Sequence, residues 1–262
     1  MPDYSEVDHP SVLVYVFYPR NDFSPCPRYG FDHFVSVAEN VSLHCRFYKD
    51  NDSWPWILYF HGNGEVVSDY DEISLFYLKN KMNLVVVDYR GYGKSTGEPT
   101  LTDISQDAHI VYGAIKKELG EHGFRSDLWI MGRSLGSIPA LEIARQQKDD
   151  IRGLIIESGF PSITRLLVHL DVPVTGIDLD RIDRQCLALV NEIHVPTLII
   201  HGEYDTLVPP EEAETLMEQI GSQEKKLLII PGATHNDIMF MGLKQYMEAI
   251  YTFIEDTSKK KE

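Results

Sequence analysis

Six short runs of consecutive apolar residues, many of them β-branched, set the tightest limit on the fold. They are WILYF (56–60), LVVVD (84–88), LWIMG (128–132), GLIIE (153–157), TLIIHG (197–202) and LLIIPG (227–232). A run apolar at successive positions suits a strand covered on both faces, the condition of a parallel sheet. Between the runs lie segments with apolar residues at helical spacing: 68–80 with Ile73, Phe76 and Tyr77, and 101–119 with Ile104, Ala108, Val111 and Ile115. Similar segments cover 138–147, 211–220 and about 240–256. The alternation predicts an α/β fold, a mostly parallel sheet with helices on both faces. Three earlier segments, 12–18, 33–37 and 41–48, alternate apolar with polar residues and read as an antiparallel start. With no linker and no internal repeat, residues 1–262 read as one domain. Residues 159–195 are too long for an ordinary crossover turn and are expected to form a small helical cap insertion over one end of the sheet.

Composition narrows the partners. Lys plus Arg is 24 against 40 Asp plus Glu, a net charge of −16. Such a chain repels nucleic acid and anionic lipid. The Lys259–Lys261 cluster reads as a solvated tail. Three scattered cysteines, Cys26, Cys45 and Cys186, suit neither a disulfide framework nor a Cys-x-x-Cys zinc site. The acidic start MPDYSEVDHP is unlike a signal peptide, and the apolar runs fall far short of a membrane span. The expectation is a cytoplasmic protein with reduced thiols, in which two Asn-x-Ser sequons are chance matches.

The pattern Gly-x-Ser-x-Gly occurs twice, as GKSTG (93–97) and GRSLG (132–136). A nucleophile elbow needs a strand ending at the first Gly and a helix beginning just after Ser. GRSLG follows LWIM and precedes IPALEIARQQ, with Pro139 in the first helical turn where its missing N–H is harmless. GKSTG lies five residues beyond its strand and is followed by Glu98-Pro99. Ser134 is therefore the expected nucleophile and Ser95 a loop serine. GYGKS also fails as a phosphate loop, because Asp88 stands where the first Gly is needed.

An acyl-transfer site also needs oxyanion donors. The elbow supplies the Leu135 N–H; the glycine-rich HGNG (61–64) after WILYF is expected to supply the Asn63 N–H. His61 reads as a structural hydrogen bonder. A serine needs a histidine base, and the histidine an acid. In the elbow fold the acid and then the histidine follow the serine in chain order. Asp205 and His235 stand after successive strands, at the carboxyl ends where α/β sites form, and take these roles. Glu157 is the rival acid and His201 the rival base; Asp237 reads as a loop-shaping residue.

These landmarks, FHGNGE, VVVDYRGYGKSTGEPT, IMGRSLGS, IIHGEYDTLVP and PGATHND, occur in order. Over roughly residues 31–256 the chain resembles the α/β-hydrolase superfamily, nearest the small-cap acyl-protein-thioesterase-like and carboxylesterase-like serine hydrolases. The resemblance implies an eight-stranded sheet, no cofactor, and Ser134–Asp205–His235 as a triad. It does not extend well to residues 1–30. The expected function is cleavage of a small acyl ester or acyl thioester through an acyl-enzyme. The rivals are a serine aminopeptidase-like amide hydrolase and a binding protein on a hydrolase scaffold; no triad member is missing, which disfavours the latter. Leu166, Leu167, Leu170, Val172 and Val174 either line an acyl pocket or seal the insertion onto the body.

Overall fold

The computed structural model describes residues 1–259; Lys260 and Lys261 of the basic cluster lie outside the described residues. Eight strands form one sheet: β1 (Gly30–Ala38), β2 (Val41–Tyr48), β3 (Trp56–Phe60), β4 (Asn83–Val87), β5 (Leu128–Arg133), β6 (Gly153–Glu157), β7 (Thr197–Gly202) and β8 (Lys225–Ile230). Their order is β1-β2-β4-β3-β5-β6-β7-β8. The β1–β2 and β2–β4 pairs are antiparallel, and every pair from β4 onward is parallel. All six continuous apolar runs fall in the parallel part.

Period-two alternation divides each run between two cores. Leu58, Phe60, Ile130, Leu154, Ile156 and Ile199 face one side. That side is covered by α3 (Leu101–Glu121), α4 (Ser137–Gln146), α6 (Leu179–Asn191) and α7 (Pro210–Gln219). Ile57, Tyr59, Trp129, Met131, Ile155, Leu198 and Ile200 face the other, under α2 (Tyr70–Lys79) and α9 (Leu243–Ser258). The expected final helix is preceded by the short α8 (Ile238–Met241).

One element differs in kind from the sequence reading. Residues 12–18 are not a strand; Pro10–Val16 form a helix, α1. Pro10 occupies the first turn, where its fixed φ suits a helix, and the His9 ring accepts the Ser11 N–H. A strand would bury residues 12, 14 and 16 together. Instead Val12 and Val16, one helical turn apart, are buried, while Val14 is 63% exposed. Over so few residues the β-branched composition outweighed a cap and an i, i+4 pair.

Residues 159–195 contain α5 (Ile163–His169) and α6. Helix α5 turns its buried Leu167 toward the carboxyl end of the sheet. Helix α6 packs against α4, α5 and α7.

Candidate active site

Ser134 follows directly on β5 with φ 52°, in the left-handed region that costs a non-glycine residue on the order of 1–2 kcal/mol. The turn is too tight for side chains on either flank. A Cβ on Gly132 would lie 2.2 Å from the Gly136 carbonyl oxygen, and one on Gly136 would lie 2.1 Å from the Phe60 oxygen. The Ser137 hydroxyl closes the turn by donating to the Ser134 carbonyl at 2.6 Å. Ser95 is engaged otherwise: its Oγ accepts the His44 N–H at 2.8 Å and donates to the Asp88 carbonyl at 3.1 Å.

Asp205 and His235, on the loops after β7 and β8, meet at 2.7 Å between Oδ2 and Nδ1. The other carboxylate oxygen accepts the backbone N–H groups of Leu207 at 3.0 Å and Val208 at 2.8 Å. Burial alone raises the pKa of this carboxyl. The hydrogen bonds of His201 and His235 and the charge of His235 outweigh burial and hold it well below the usual carboxylate range. Bonding through Nδ1 leaves His235 Nε2 for the pocket. Ser134 and His235 line that pocket together, though no hydrogen bond joins their side chains; such contacts are often long before substrate binds.

The rivals are occupied elsewhere. Glu157 accepts from Arg133 Nε at 3.1 Å, Tyr246 at 2.5 Å and Tyr59 at 3.2 Å. The His201 ring, inside β7, hydrogen-bonds the Val208 carbonyl through Nε2 at 2.8 Å. His61 is buried, with Nδ1 on the Gly62 carbonyl at 2.8 Å and Nε2 3.4 Å from Asp88. Asp237 accepts the Thr234 N–H at 2.6 Å and so shapes its own loop.

Asn63 and Leu135 line the same pocket as Ser134. Neither backbone N–H has a hydrogen-bond partner among the described residues, as donors reserved for an oxyanion require. The cavity holds about 440 Å³. Ile163, Leu166, Leu167, Leu170 and Val172 form one wall, and Tyr15, Val16 and Tyr18 contribute another. Val174, the fifth expected lining residue, does not line it. Among the described residues no cluster of His, Cys, Asp or Glu is arranged to hold a metal ion, and no helix is long and apolar enough to cross a membrane.

Two features went unread in the sequence. The first is Arg133, buried beside the serine. Its guanidinium pairs with Glu65 and Glu157 and donates to the His235 carbonyl at 2.8 Å and to Asn236 Oδ1 at 3.2 Å. Glu65 in turn accepts the Gly62 N–H at 2.7 Å. One side chain thus joins the HGNG loop to the histidine loop. The only hint was an arginine between a buried strand and a buried turn, a place that demands paired carboxylates. The second is the N-terminal wall, whose residues carry no motif.

Comparison with known proteins agrees with this architecture. The family described as "Serine aminopeptidase, S33" matches residues 55–174 and 173–239. Protein bem46 of Schizosaccharomyces pombe is 32% identical over 193 residues, covering 71% of this chain and 63% of its own length. The lysophosphatidylserine lipase ABHD12 of Danio rerio is 32% identical over 197 residues, covering 67% of this chain and 49% of its own. The chain therefore spans under two thirds of the length of these relatives. Among solved structures, the Pyrococcus furiosus esterase Pf2001 superposes with a TM-score of 0.74 at 19% identity, over 91% of this chain and 99% of that one; this is a likeness of fold.

Proposed function

The chain belongs to the serine aminopeptidase S33 family of the α/β-hydrolase superfamily, and from that premise we propose that it is a serine hydrolase cleaving carboxylic esters or thioesters of apolar acyl groups. The observation that carries the reading is the 2.7 Å Asp205–His235 hydrogen bond beside a serine held at positive φ in a largely apolar cavity. Asp205 fixes the histidine tautomer with Nδ1 protonated, so Nε2 takes the Ser134 proton. Ser134 Oγ attacks the acyl carbonyl, and the Leu135 and Asn63 N–H groups bind the oxyanion. His235 returns the proton to the leaving oxygen or sulfur. Water, activated by the same histidine, then attacks the acyl-enzyme and restores Ser134.

The family description favours a second reading, removal of an amino-terminal residue from a peptide. An aminopeptidase site must hold a cationic amine, and a carboxylate is the natural partner. Among the described residues no Asp or Glu lines the cavity around Ser134, which supports the acyl ester over the peptide. The lipase name of the Danio rerio relative agrees in substrate type.

The test pairs fluorophosphonate labelling with turnover of matched p-nitrophenyl esters, a thioester and aminoacyl p-nitroanilides. The expected result is one labelled serine, Ser134, and turnover of esters well above anilides. Preferential anilide cleavage would move the assignment to the peptidase reading. An unlabelled protein would remove both.

A further inference from the structure

We propose that the N-terminal segment, residues 15–18 above all, is a fixed strap that selects the acyl group, lining the same pocket as α5. The proposal rests on the ester-hydrolase reading and deepens it. The family match begins at residue 55, so this wall lies outside the matched residues.

The geometry has two parts. Tyr15, Val16 and Tyr18 border the same cavity as Ser134, His235, Leu167 and Leu170. Tyr15 and Tyr18 are 46% and 58% exposed, so they border the cavity where it meets solvent. An apolar chain drawn between two apolar walls gains from every methylene it removes from water.

The segment is also built in. The Asn63 side-chain amide donates to the Val16 carbonyl at 2.7 Å, and its oxygen accepts the Tyr18 N–H at 3.0 Å. Tyr92 hydroxyl donates to the same oxygen at 2.7 Å. The strap is thus registered on the residue whose backbone faces the expected oxyanion. Farther along, Arg20 donates to the Gly64 carbonyl at 2.8 Å and pairs with Asp69. Toward the N-terminus, the Asp8 carboxylate accepts the Leu101 and Thr102 N–H groups at the start of α3, at 2.7 and 3.0 Å. A segment held at both ends and in the middle is a wall of set shape, and a set shape discriminates among chain lengths.

The experiment measures kcat/KM across p-nitrophenyl acetate, butyrate, octanoate and laurate for the whole chain. In Tyr15→Ala/Tyr18→Ala the octanoate-to-acetate ratio is expected to fall about tenfold, the loss of apolar contact along the chain. Tyr15→Trp, which extends the wall, is expected to shift the optimum to a shorter acyl group. Phe23→Ala, in the same segment but outside the cavity and 77% exposed, keeps the original profile. Fluorophosphonate labelling and thermal melting accompany each variant. A folded, labelled double variant whose ratio stays within about twofold, or an unmoved optimum in Tyr15→Trp, overturns the strap and leaves the hydrolase reading standing. A native chain that fails to label overturns the hydrolase reading, and the strap with it.

Discussion

At the scale of single residues, the backbone separates the two Gly-x-Ser-x-Gly serines more sharply than the motif does. Ser134 is at positive φ between glycines that cannot accept a Cβ; Ser95 spends its hydroxyl on two backbone partners. Ser134→Ala is expected to abolish fluorophosphonate labelling and lower turnover by several orders of magnitude, whereas Ser95→Ala keeps the label and loses about 1 kcal/mol of stability per hydrogen bond removed. Labelling that survives in the Ser134 variant removes the elbow assignment. For the acid, Asp205→Asn favours the wrong histidine tautomer and should lower turnover roughly 10⁴-fold with the fold retained. Glu157→Gln weakens the Arg133 pair and is expected to act mainly on stability, read by urea titration beside turnover; the reverse ranking would exchange the two roles. The sequence already pointed to Asp205 and His235, because chain order and strand ends are one-dimensional facts. Arg133 was not legible, since its partners Glu65 and Glu157 stand 68 and 24 residues away and only the sheet brings them together. Arg133→Gln is expected to lower kcat more than it raises KM, because it frees the histidine loop and the HGNG loop; Arg133 also lines the pocket, so a pure KM effect would show that it binds substrate instead.

At the scale of elements, legibility tracks how much of an element's environment is local. The buried strands were visible because both faces are apolar, which leaves a continuous run. Helix α3 was visible because twenty-one residues repeat one face. Helix α1 has seven residues, too few for a period to stand out from its β-branched composition. Helix α5 carries four of the pocket's apolar residues, with Val172 just beyond it, if its C-terminal Leu170 is counted. Removing Leu167 and Leu170 side chains together therefore tests whether α5 shapes the acyl side. Leu167→Ala/Leu170→Ala is expected to move the chain-length profile more than it moves acetyl-ester turnover, which on the proposed mechanism depends chiefly on Ser134, His235 and the two N–H donors. Leu167 is 2% exposed, so the variant also gives up about 2–5 kcal/mol for the buried leucine, and melting must show that it remains folded. An unchanged profile in the folded variant counts against α5 as a selecting wall.

At the scale of the whole molecule, the net charge of −16 and the buried carboxylates act in opposite directions as pH falls. Asp88 and Asp205 are both buried and both held below their ordinary acidity range. Burial opposes this in each, and histidine hydrogen bonds reverse it, from His44 and His61 for Asp88 and from His201 and His235 for Asp205. Asp32, Glu65 and Glu142 are displaced in the same direction, while Asp107, raised chiefly by burial, goes the other way. A carboxyl with a depressed native value binds fewer protons folded than unfolded. Its stabilisation is complete above the unfolded value, near about pH 4, and is lost as pH falls through the native value. Above that window the excess of exposed carboxylates repels itself, and mild acid or added salt relieves the repulsion. Urea midpoints are therefore expected to be nearly level or slightly rising from pH 8 to 5 at low salt, to rise with salt at pH 8, and to drop steeply below about pH 4. In Asp205→Asn the drop should be shallower, because one of the protons taken up on acid unfolding is gone. A native midpoint that stays level down to pH 3, or an Asp205→Asn curve parallel to the native one, would show that the buried carboxylates are not what acid attacks.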